Sequence, residues 1–338
     1  MTTTTRSVNR RRAASLFAVL FAAVLAIAAC GSDDSTATDD AASTGSGGFP
    51  VTVDTAYGEI TVGKKPERVV ALGGGAWSDF LSFTDVHPVA FSATGNSWPS
   101  DQEGLVNDYP WLNGADIGTY DPNVVTAEWK ASAEAIAAYQ PDLILANSFA
   151  VDENMYKQLS QIAPTFVGVS KGVDDWRTTG KALGQLTGTS ESIDGAIKQV
   201  DDAYAASRAK LPGVQGKTYE YGSFDGTQFA FGSGAWLEGF GLKPAANQVI
   251  GGSNVSLENL DQMNGDVLSV YVRDAKTEQA LKADPRYAAL PATKNGTDHI
   301  FGTTFANASN VAGPRSLLWV IDQFTPILEK SDLNKSTN

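Results

Sequence analysis

The sequence predicts an α/β protein in which two similar lobes are joined by one long helix. Short apolar segments alternate with helical segments on both sides of the middle of the chain, which is typical of lobes with mainly parallel sheets. Between the two series, apolar residues recur with the 3.6-residue period of a helix. They stand at positions 193, 196, 197, 200 and 204.

The first lobe is predicted over residues 50–189. It begins with a hairpin over 51–62, because apolar and polar residues alternate there around Tyr57-Gly58. The segments that follow read as strands at 68–72, 88–93, 115–119, 142–146 and 165–169, and as helices at 76–83, 132–139 and 153–162.

The connecting helix is predicted over residues 190–212. Ser190 can cap its N-terminus and Pro212-Gly213 ends it. At 1.5 Å per residue, a helix of this length spans about 30 Å, the width of a small domain. The second lobe is predicted over 213–331, with strands at 218–223, 228–231, 267–272 and 299–303 and helices at 257–263, 277–283 and 314–329. Two Rossmann-like lobes and one stiff hinge are expected.

The pattern Gly-x-Gly-Ala-Trp occurs once in each predicted lobe. Residues 73–77 carry it after a strand of the first lobe, and residues 232–236 carry it after a strand of the second. Because open α/β sheets bind ligands at the carboxyl ends of their strands, we expect Trp77 and Trp236 to face a shared cleft. The alternative is that both indoles belong to the cores of the lobes.

The first 29 residues have the features of an export signal. Four arginines precede an apolar stretch over 13–29. The sequence Ile27-Ala28-Ala29-Cys30 resembles a bacterial lipobox, which implies that Cys30 is acylated and anchors the chain to the extracytoplasmic face of the cell membrane. Residues 30–49, rich in Ser, Thr, Asp and Gly, are predicted to be a flexible tether. An ordinary secretory signal is the alternative, and the choice between general and twin-arginine export stays open.

The composition excludes several classes of function. The net charge is −13, and residues 1–29 contain four arginines but no acid, so the remainder is more acidic still and repels nucleic acids. The chain has one cysteine and two well-separated histidines, which argues against a disulfide and against a metal site built on imidazole. Ser78 stands where a dinucleotide motif needs its third glycine, so no nucleotide cofactor is expected.

One motif supports an enzymatic alternative. Residues 168–172 match the Gly-x-Ser-x-Gly pattern of a nucleophile elbow, with Ser170 in the place of the nucleophile. A serine hydrolase also needs a downstream histidine, and His299 is the one available. His299 reads as the start of a strand, away from the loops that hold such triads, so we do not expect an enzyme.

Three segments resemble the substrate-binding proteins of iron-siderophore ABC importers, the helix-hinged class III of periplasmic binding proteins. They are residues 58–71 (GEITVGKKPERVVA), 133–145 (AEAIAAYQPDLIL) and 284–301 (DPRYAALPATKNGTDHIF). The resemblance covers essentially residues 50–330. It implies a monomer without catalytic residues, metal or cofactor, which captures a ferric siderophore and delivers it to an ABC permease.

The resemblance also implies two docking residues. Proteins of this class dock on the permease through one glutamate on each lobe, and matching the motifs residue by residue assigns these roles to Glu134 and Glu258. Both lie in the first turn of predicted helices, where a carboxylate is also favourable for the helix itself.

A compact iron chelate needs flat aromatic walls and a few cations. Lys171 is a weaker cation candidate than the two arginines in the predicted set. The acidity of the chain favours a neutral or cationic hydroxamate complex, but catecholate, mixed, haem and cobalamin ligands stay open. The predicted ligand-binding residues are Trp77, Trp98, Tyr120, Trp236, Tyr271, Arg273 and Arg315.

Overall fold

The computed structural model describes residues 48–73, 75–93, 99–126, 128–148, 150–171, 175–310 and 312–335. They belong to one compact unit that begins at Thr44. The predicted export signal, Cys30, the tether up to residue 47 and Trp98 lie outside the described residues. Within the described residues, none of the helices is both long and apolar enough to cross a membrane.

The chain begins with the predicted hairpin. Strands β1 (Val51–Thr55) and β2 (Gly58–Val62) pair in antiparallel register, with Val53 opposite Ile60. Alternate residues on one face are buried, which is the pattern of a strand with one solvated side.

The first sheet contains four parallel strands in the order β4-β3-β5-β6. The strands are β3 (Val69–Ala71), β4 (Pro88–Phe91), β5 (Leu143–Leu145) and β6 (Thr165–Phe166). The helices of this lobe are α1 (Gly75–Leu81), α2 (Gln102–Asp108), α3 (Ala133–Ala138), α4 (Glu153–Leu159) and α5 (Trp176–Thr187), with 3₁₀ helices at Pro110–Leu112 and Pro122–Val124. Nearly all strand residues are buried, because helices cover both faces of a parallel sheet.

The strand predicted at 115–119 is not present. This segment runs beside β4 and makes one bridge, between Phe91 and Tyr120. Gly118 has a φ of 81° and approaches Pro88 so closely that a Cβ would lie 2.2 Å from the Pro88 carbonyl oxygen. That left-handed turn interrupts the extended backbone that a strand requires.

Helix α6 (Ser190–Lys210) begins at the predicted residue and ends just before Pro212. The capping role expected for Ser190 is wrong, because Ser190 is the first helical residue and the N-cap is Thr189, whose hydroxyl is hydrogen-bonded to Thr187. Its buried stripe contains the predicted residues Ile193, Ala196, Ile197, Val200 and Tyr204. The helix packs against α5 on one side and α11 (Pro314–Lys330) on the other. The lobe boundaries on either side of it stay predictions.

The second sheet has six strands in the order β10-β8-β7-β11-β12, and β9 pairs with the first residues of β7. The strands are β7 (Thr218–Phe224), β8 (Gln228–Phe231), β9 (Lys243–Pro244), β10 (Val255–Ser256), β11 (Val267–Val272) and β12 (Asp298–Phe301). Strands β7, β11 and β12 are parallel, whereas β8 is antiparallel to β7. This sheet is therefore mixed.

The remaining helices follow α6 in the chain. They are α7 (Ala275–Ala283), α8 (Pro285–Ala288), α9 (Pro291–Asn295), α10 (Thr303–Asn310), α11 and α12 (Asp332–Lys335), with 3₁₀ helices at Pro212–Val214, Ala235–Phe240 and Leu257–Gln262. The predicted class, two α/β lobes with one long helix between them, is confirmed.

Helix α6 is bound tightly to the 3₁₀ helix Ala235–Phe240. The Tyr204 hydroxyl donates to the Trp236 carbonyl at 2.9 Å, and Arg208 Nη1 donates to the Gly239 carbonyl at 2.5 Å. A Cβ at Gly239 would lie 2.3 Å from the Tyr204 ring, so glycine is needed for this close approach. The long helix is thus fixed to the second lobe by hydrogen bonds as well as by packing.

A buried carboxylate connects α1 of the first lobe to α11. Asp79 accepts hydrogen bonds from the backbone N–H groups of Arg315 at 2.6 Å and Ser316 at 2.8 Å, which lie in the first turn of α11. Gly313 abuts the same carboxylate, because a Cβ there would lie 2.6 Å from its carboxyl carbon. Asp79 therefore caps a helix from outside that helix.

Candidate functional site

In each lobe, one helix that follows the carboxyl end of a parallel strand meets its counterpart from the other lobe. Helix α2 follows β4 in the first lobe, and α10 follows β12 in the second. These two helices contact each other, so the loops that follow the strands lie on either side of the α2–α10 contact. Ligands of open α/β sheets bind at such edges, and we call this region the carboxyl-edge junction.

Aromatic side chains fill the floor of the carboxyl-edge junction. The ring centroids of Trp111 and Trp319 are 5.6 Å apart, and this pair joins the 3₁₀ helix after α2 to α11. Tyr109 lies 5.3 Å from Trp111, and Phe305 of α10 lies 5.8 Å from Trp319. Sequence reasoning did not select Trp111 or Trp319. The density of aromatic residues between 98 and 111 is the signal that could have indicated the first of them.

Tyr120 was predicted to follow a strand at 115–119, which is absent; it lies instead beside the carboxyl end of β4 and is half-buried. Its ring packs on Phe91 at 5.4 Å, and its hydroxyl donates to the Pro99 carbonyl at 2.5 Å. Burial, with the nearby carboxylates of Asp101, Asp121 and Asp108, raises the pKa of the Tyr120 hydroxyl to about 12. Tyr120 therefore stays neutral at physiological pH.

Tyr271 and Arg273 occupy the end of β11 on the second lobe. Tyr271 is partly exposed, and its hydroxyl lies 3.4 Å from Thr303 Oγ1 at the start of α10. Arg273 is exposed, and its side chain has no hydrogen-bond or ion-pair partner among the described residues. These two predicted residues lie on the second-lobe side of the carboxyl-edge junction.

The other predicted cations are already in contact with protein groups. Arg315 Nε donates to Ser82 Oγ at 2.6 Å, and its guanidinium carbon lies 4.9 Å from the centroid of the Phe83 ring. Lys171 Nζ lies 5.3 Å from the centroid of the Tyr57 ring, over the turn of the hairpin. Both cations stabilise the first lobe where they stand.

Both tryptophans of the repeated motif are buried. Trp77 is 4 % exposed and packs on Phe166, whereas Trp236 is 7 % exposed and packs between Phe305 and Phe324. A flat wall for a ligand needs an exposed ring face, which neither indole has in this structure. Their burial agrees with the alternative interpretation, in which both indoles belong to the cores of the lobes.

The position of Trp236 has a topological reason. The motif was expected to leave a carboxyl edge of the sheet, but β8 runs antiparallel to β7. The carboxyl end of β8 therefore points toward the amino-terminal edge formed by β7 and β11, and the 3₁₀ helix that follows it packs against α6. The first copy of the motif follows a parallel strand and begins α1 at Gly75, as expected.

The two predicted docking glutamates are exposed and stand on different lobes. Glu134 lies in the first turn of α3, whose N-terminus is capped by Ser132. Glu258 lies in the first turn of the 3₁₀ helix Leu257–Gln262. Exposed carboxylates of this kind are accessible to the arginines of a partner protein.

The residues of the hydrolase alternative lie on different sheets. Ser170 follows β6 of the first sheet and is exposed. His299 lies in β12 of the second sheet, where the rings of Phe301, Phe305 and Phe324 stand 4.6–5.3 Å from it. The described residues do not bring the two side chains into a nucleophile–base pair.

Burial among these rings lowers the pKa of His299 to about 4. Between pH 4 and the ordinary value of 6.5 the unfolded chain binds a proton that the folded chain does not, so stability falls as the pH drops through this window. We expect His299 to lower the free energy of unfolding by up to about 3 kcal/mol at pH 4, compared with its value at neutral pH. NMR titration of the imidazole signals, with urea unfolding of wild type and His299→Phe, measures it; an imidazole that titrates near pH 6.5 would contradict the expectation.

An open depression of about 500 Å³ lies away from the carboxyl-edge junction. It is lined by residues that precede β3 and β4 and by the turn between α5 and α6, including Lys65, Asp85 and Ser190. This is the amino-terminal edge of the first sheet, where α/β folds do not usually bind ligands, so we give it no role in binding. No group of three or more His, Cys, Asp or Glu side chains is placed to hold a metal among the described residues.

Comparisons with known proteins agree with this architecture. The sequence model of the family described as Periplasmic binding protein matches residues 69–303. The ferric enterobactin-binding periplasmic protein FepB of Escherichia coli O6:H1 is 27% identical over 284 residues, covering 75% of this chain and 85% of FepB. The Fe(3+)-citrate-binding protein YfmC of Bacillus subtilis is 27% identical over 252 residues, covering 71% of this chain and 74% of YfmC.

A solved structure shares the fold. The periplasmic solute binding protein from Mycobacterium smegmatis superposes with a TM-score of 0.66 and 28% sequence identity. The superposition covers 82% of this chain and 97% of that protein. The similarity therefore extends over both lobes of the described structure.

Proposed function

The chain belongs to the periplasmic binding protein family, and from that premise we propose that it captures a ferric siderophore outside the cytoplasmic membrane and delivers it to an ABC permease. The observation that carries this proposal is the carboxyl-edge junction, where two α/β sheets bring aromatic side chains together. The relatives FepB and YfmC, named for binding ferric enterobactin and ferric citrate, support iron chelates as the class of ligand.

In this proposal the chelate lies between Tyr120 of the first lobe and Tyr271 and Arg273 of the second. Partly exposed aromatic faces contact the apolar rim of the complex, and the free guanidinium of Arg273 contacts its oxygen atoms. Trp98, which lies outside the described residues and directly precedes Pro99 in the sequence, is also proposed as a wall of the site. Because α6 is hydrogen-bonded to the second lobe, closure around the ligand is expected to be small.

The protein binds and transfers, and no bond of the ligand is made or broken in the proposed cycle. Glu134 and Glu258 are proposed to contact arginines of the two permease subunits, one glutamate for each lobe. Single exposed ion pairs contribute about 0.2–1 kcal/mol, so the pair fixes orientation more than it adds affinity. We propose that the protein works as a monomer, anchored by acylated Cys30 to the extracytoplasmic face of the membrane.

The binding proposal is tested with the seven tryptophans as reporters. Titration with ferric siderophores is expected to quench their fluorescence with sub-micromolar affinity, and Ser170→Ala is expected to leave that affinity unchanged. Ester hydrolysis that disappears in Ser170→Ala would support an exported hydrolase instead. Failure of ferric hydroxamates, ferric catecholates, ferric citrate, haem and cobalamin to bind would overturn the proposal.

The docking proposal is tested separately from binding. The double variant Glu134→Ala, Glu258→Ala is expected to bind the chelate with unchanged affinity but to lower uptake by cells about tenfold, because two contacts of up to about 1 kcal/mol each are removed. Glu153→Ala, on the exposed surface of α4, is the matched control. Equal uptake by the double variant and the control would remove the docking role.

A further inference from the structure

We propose that the carboxyl-edge junction selects iron chelates whose net charge is zero or positive. This inference rests on the proposed function and narrows it, whereas the curated relatives described above are named for ferric enterobactin and ferric citrate. The charge preference of the site depends on which charged groups surround it and on which of them already have partners.

Carboxylates dominate the first-lobe side. Asp121 follows Tyr120 directly, and its backbone N–H donates to the Phe91 carbonyl at 2.8 Å, at the end of β4. The hydrogen bond from Tyr120 to Pro99 brings the start of α2 to the same place, with Asp101 as the N-cap of that helix and Asp108 as its last residue. All three carboxylates act electrostatically on the Tyr120 hydroxyl.

These acids have no matching cations beside them. Asp121 accepts from Tyr139 and Asn123, and Asp101 accepts from the Gly104 N–H, all of which are neutral donors. Within the described residues no salt bridge involves Asp101, Asp108 or Asp121. Their negative charge is therefore not neutralised locally, and it acts on any ligand that reaches Tyr120.

The cations that an anionic chelate would need are bound elsewhere. Arg315 is held by Ser82 and Phe83, and Lys171 lies over Tyr57. Arg273 is the one predicted cation that keeps a free guanidinium among the described residues.

Asp274 and Lys276, which follow Arg273 at the end of β11, add one charge of each sign, and the other polar groups named for the junction are neutral. Tyr120, Tyr271 and Thr303 offer hydroxyl groups, and the indole N–H of Trp111 is buried without an acceptor among the described residues. Neutral donors and one cation suit the carbonyl and hydroxamate oxygens of an uncharged complex. These groups do not offset the electrostatic repulsion between the three carboxylates and a trianionic iron complex.

Isothermal titration of the full chain, purified in detergent, tests the inference with three ferric probes of different charge. These are ferrioxamine B, a monocation, ferrichrome, which is neutral, and ferric enterobactin, a trianion. We expect the first two to bind at least about tenfold more tightly than the third at low salt, with the difference shrinking as salt is added. Tightest binding of the trianion would overturn the inference and leave the proposed function standing, whereas failure of these three probes and of the other ligands in the binding test would overturn both.

A charge variant locates the effect. Asp101→Asn with Asp108→Asn removes two charges and keeps a side chain that can cap α2, since asparagine is as good an N-cap as aspartate. We expect ferrioxamine B to bind about three- to tenfold more weakly, ferrichrome to change little and ferric enterobactin to bind more tightly. The matched control is Asp116→Asn, beside His87 at the opposite edge of the sheet. Equal effects of the two changes would contradict a local field at the junction.

Discussion

Asp79→Ala is expected to lower the free energy of unfolding by about 2–5 kcal/mol, because it leaves two buried backbone N–H groups without an acceptor. These groups begin α11, a helix of 17 residues that packs on α1 and α6. The loss acts on both lobes at once, since Asp79 belongs to the first lobe and α11 to the second. Equilibrium unfolding in urea measures it.

The control for Asp79 separates capping from charge. Asp79→Asn keeps one oxygen as an acceptor for α11 and is expected to lose less stability than the alanine variant. Ser82→Ala removes the neighbouring contact to Arg315 Nε and leaves the cap intact. A destabilisation by Asp79→Ala no larger than that of Ser82→Ala would contradict the capping role.

Asp79 also gives stability a pH dependence. Burial raises its pKa from 3.8 to about 6, although the two backbone N–H groups act in the opposite direction. Between pH 4 and 6 the folded chain then binds a proton that the unfolded chain does not, so stability falls as the pH rises through this window. The free energy of unfolding changes by up to about 3 kcal/mol through this effect. It is measured as a difference in that free energy between wild type and Asp79→Asn, which is expected to grow as the pH is lowered.

The effects of Asp79 and His299 have opposite signs over nearly the same window. As the pH falls from 6 to 4, protonation of Asp79 stabilises the folded state. Over the same fall in pH, His299 destabilises it, because the imidazole is protonated in the unfolded chain and neutral in the folded chain. The wild-type profile is therefore expected to be flatter than that of either variant, Asp79→Asn or His299→Phe. A difference between wild type and Asp79→Asn that stays constant from pH 4 to 7 would show that the Asp79 carboxyl does not titrate as described.

Trp236→Ala is expected to lower the free energy of unfolding by about 3–5 kcal/mol, the usual cost of removing a large buried aromatic side chain. The indole is packed 4.9–6.1 Å, between ring centroids, from Tyr221, Phe240, Phe305 and Phe324. Its carbonyl also holds the Tyr204 hydroxyl of α6, so the cavity opens where the long helix meets the second lobe.

Two further variants test the origin of the Trp236 effect. Trp236→Phe retains most of the packing and removes an N–H that has no acceptor among the residues described, so it is expected to cost less than half as much as alanine. Trp176→Ala, at the partly exposed start of α5, is expected to cost about 1 kcal/mol or less. If Trp236→Ala instead weakened chelate binding without lowering stability, the indole would belong to a ligand site and not to the core.

Local patterns in the sequence identified most of the elements. Alternation and helical periodicity predict the hairpin and helix α6, because these signals come from residues a few positions apart. They also predict the strands of the first lobe, except that the strand expected at 115–119 is absent. The three matched segments, with the lipobox-like sequence and the long helix, identified the family. Helices α2 and α5 were not predicted, since their apolar stripes are short and interrupted by polar residues.

The sequence alone determined the class of fold, the long helix and the family, because each depends on short-range patterns that the chain carries whatever its partners are. The tertiary structure decided which residues meet. The antiparallel direction of β8 turned Trp236 into the core, a carboxylate from α1 capped a helix more than 230 positions away, and Arg315 was bound by Ser82 and Phe83. Strand direction and side-chain partners depend on contacts between distant segments, for which a single sequence has no periodic signal.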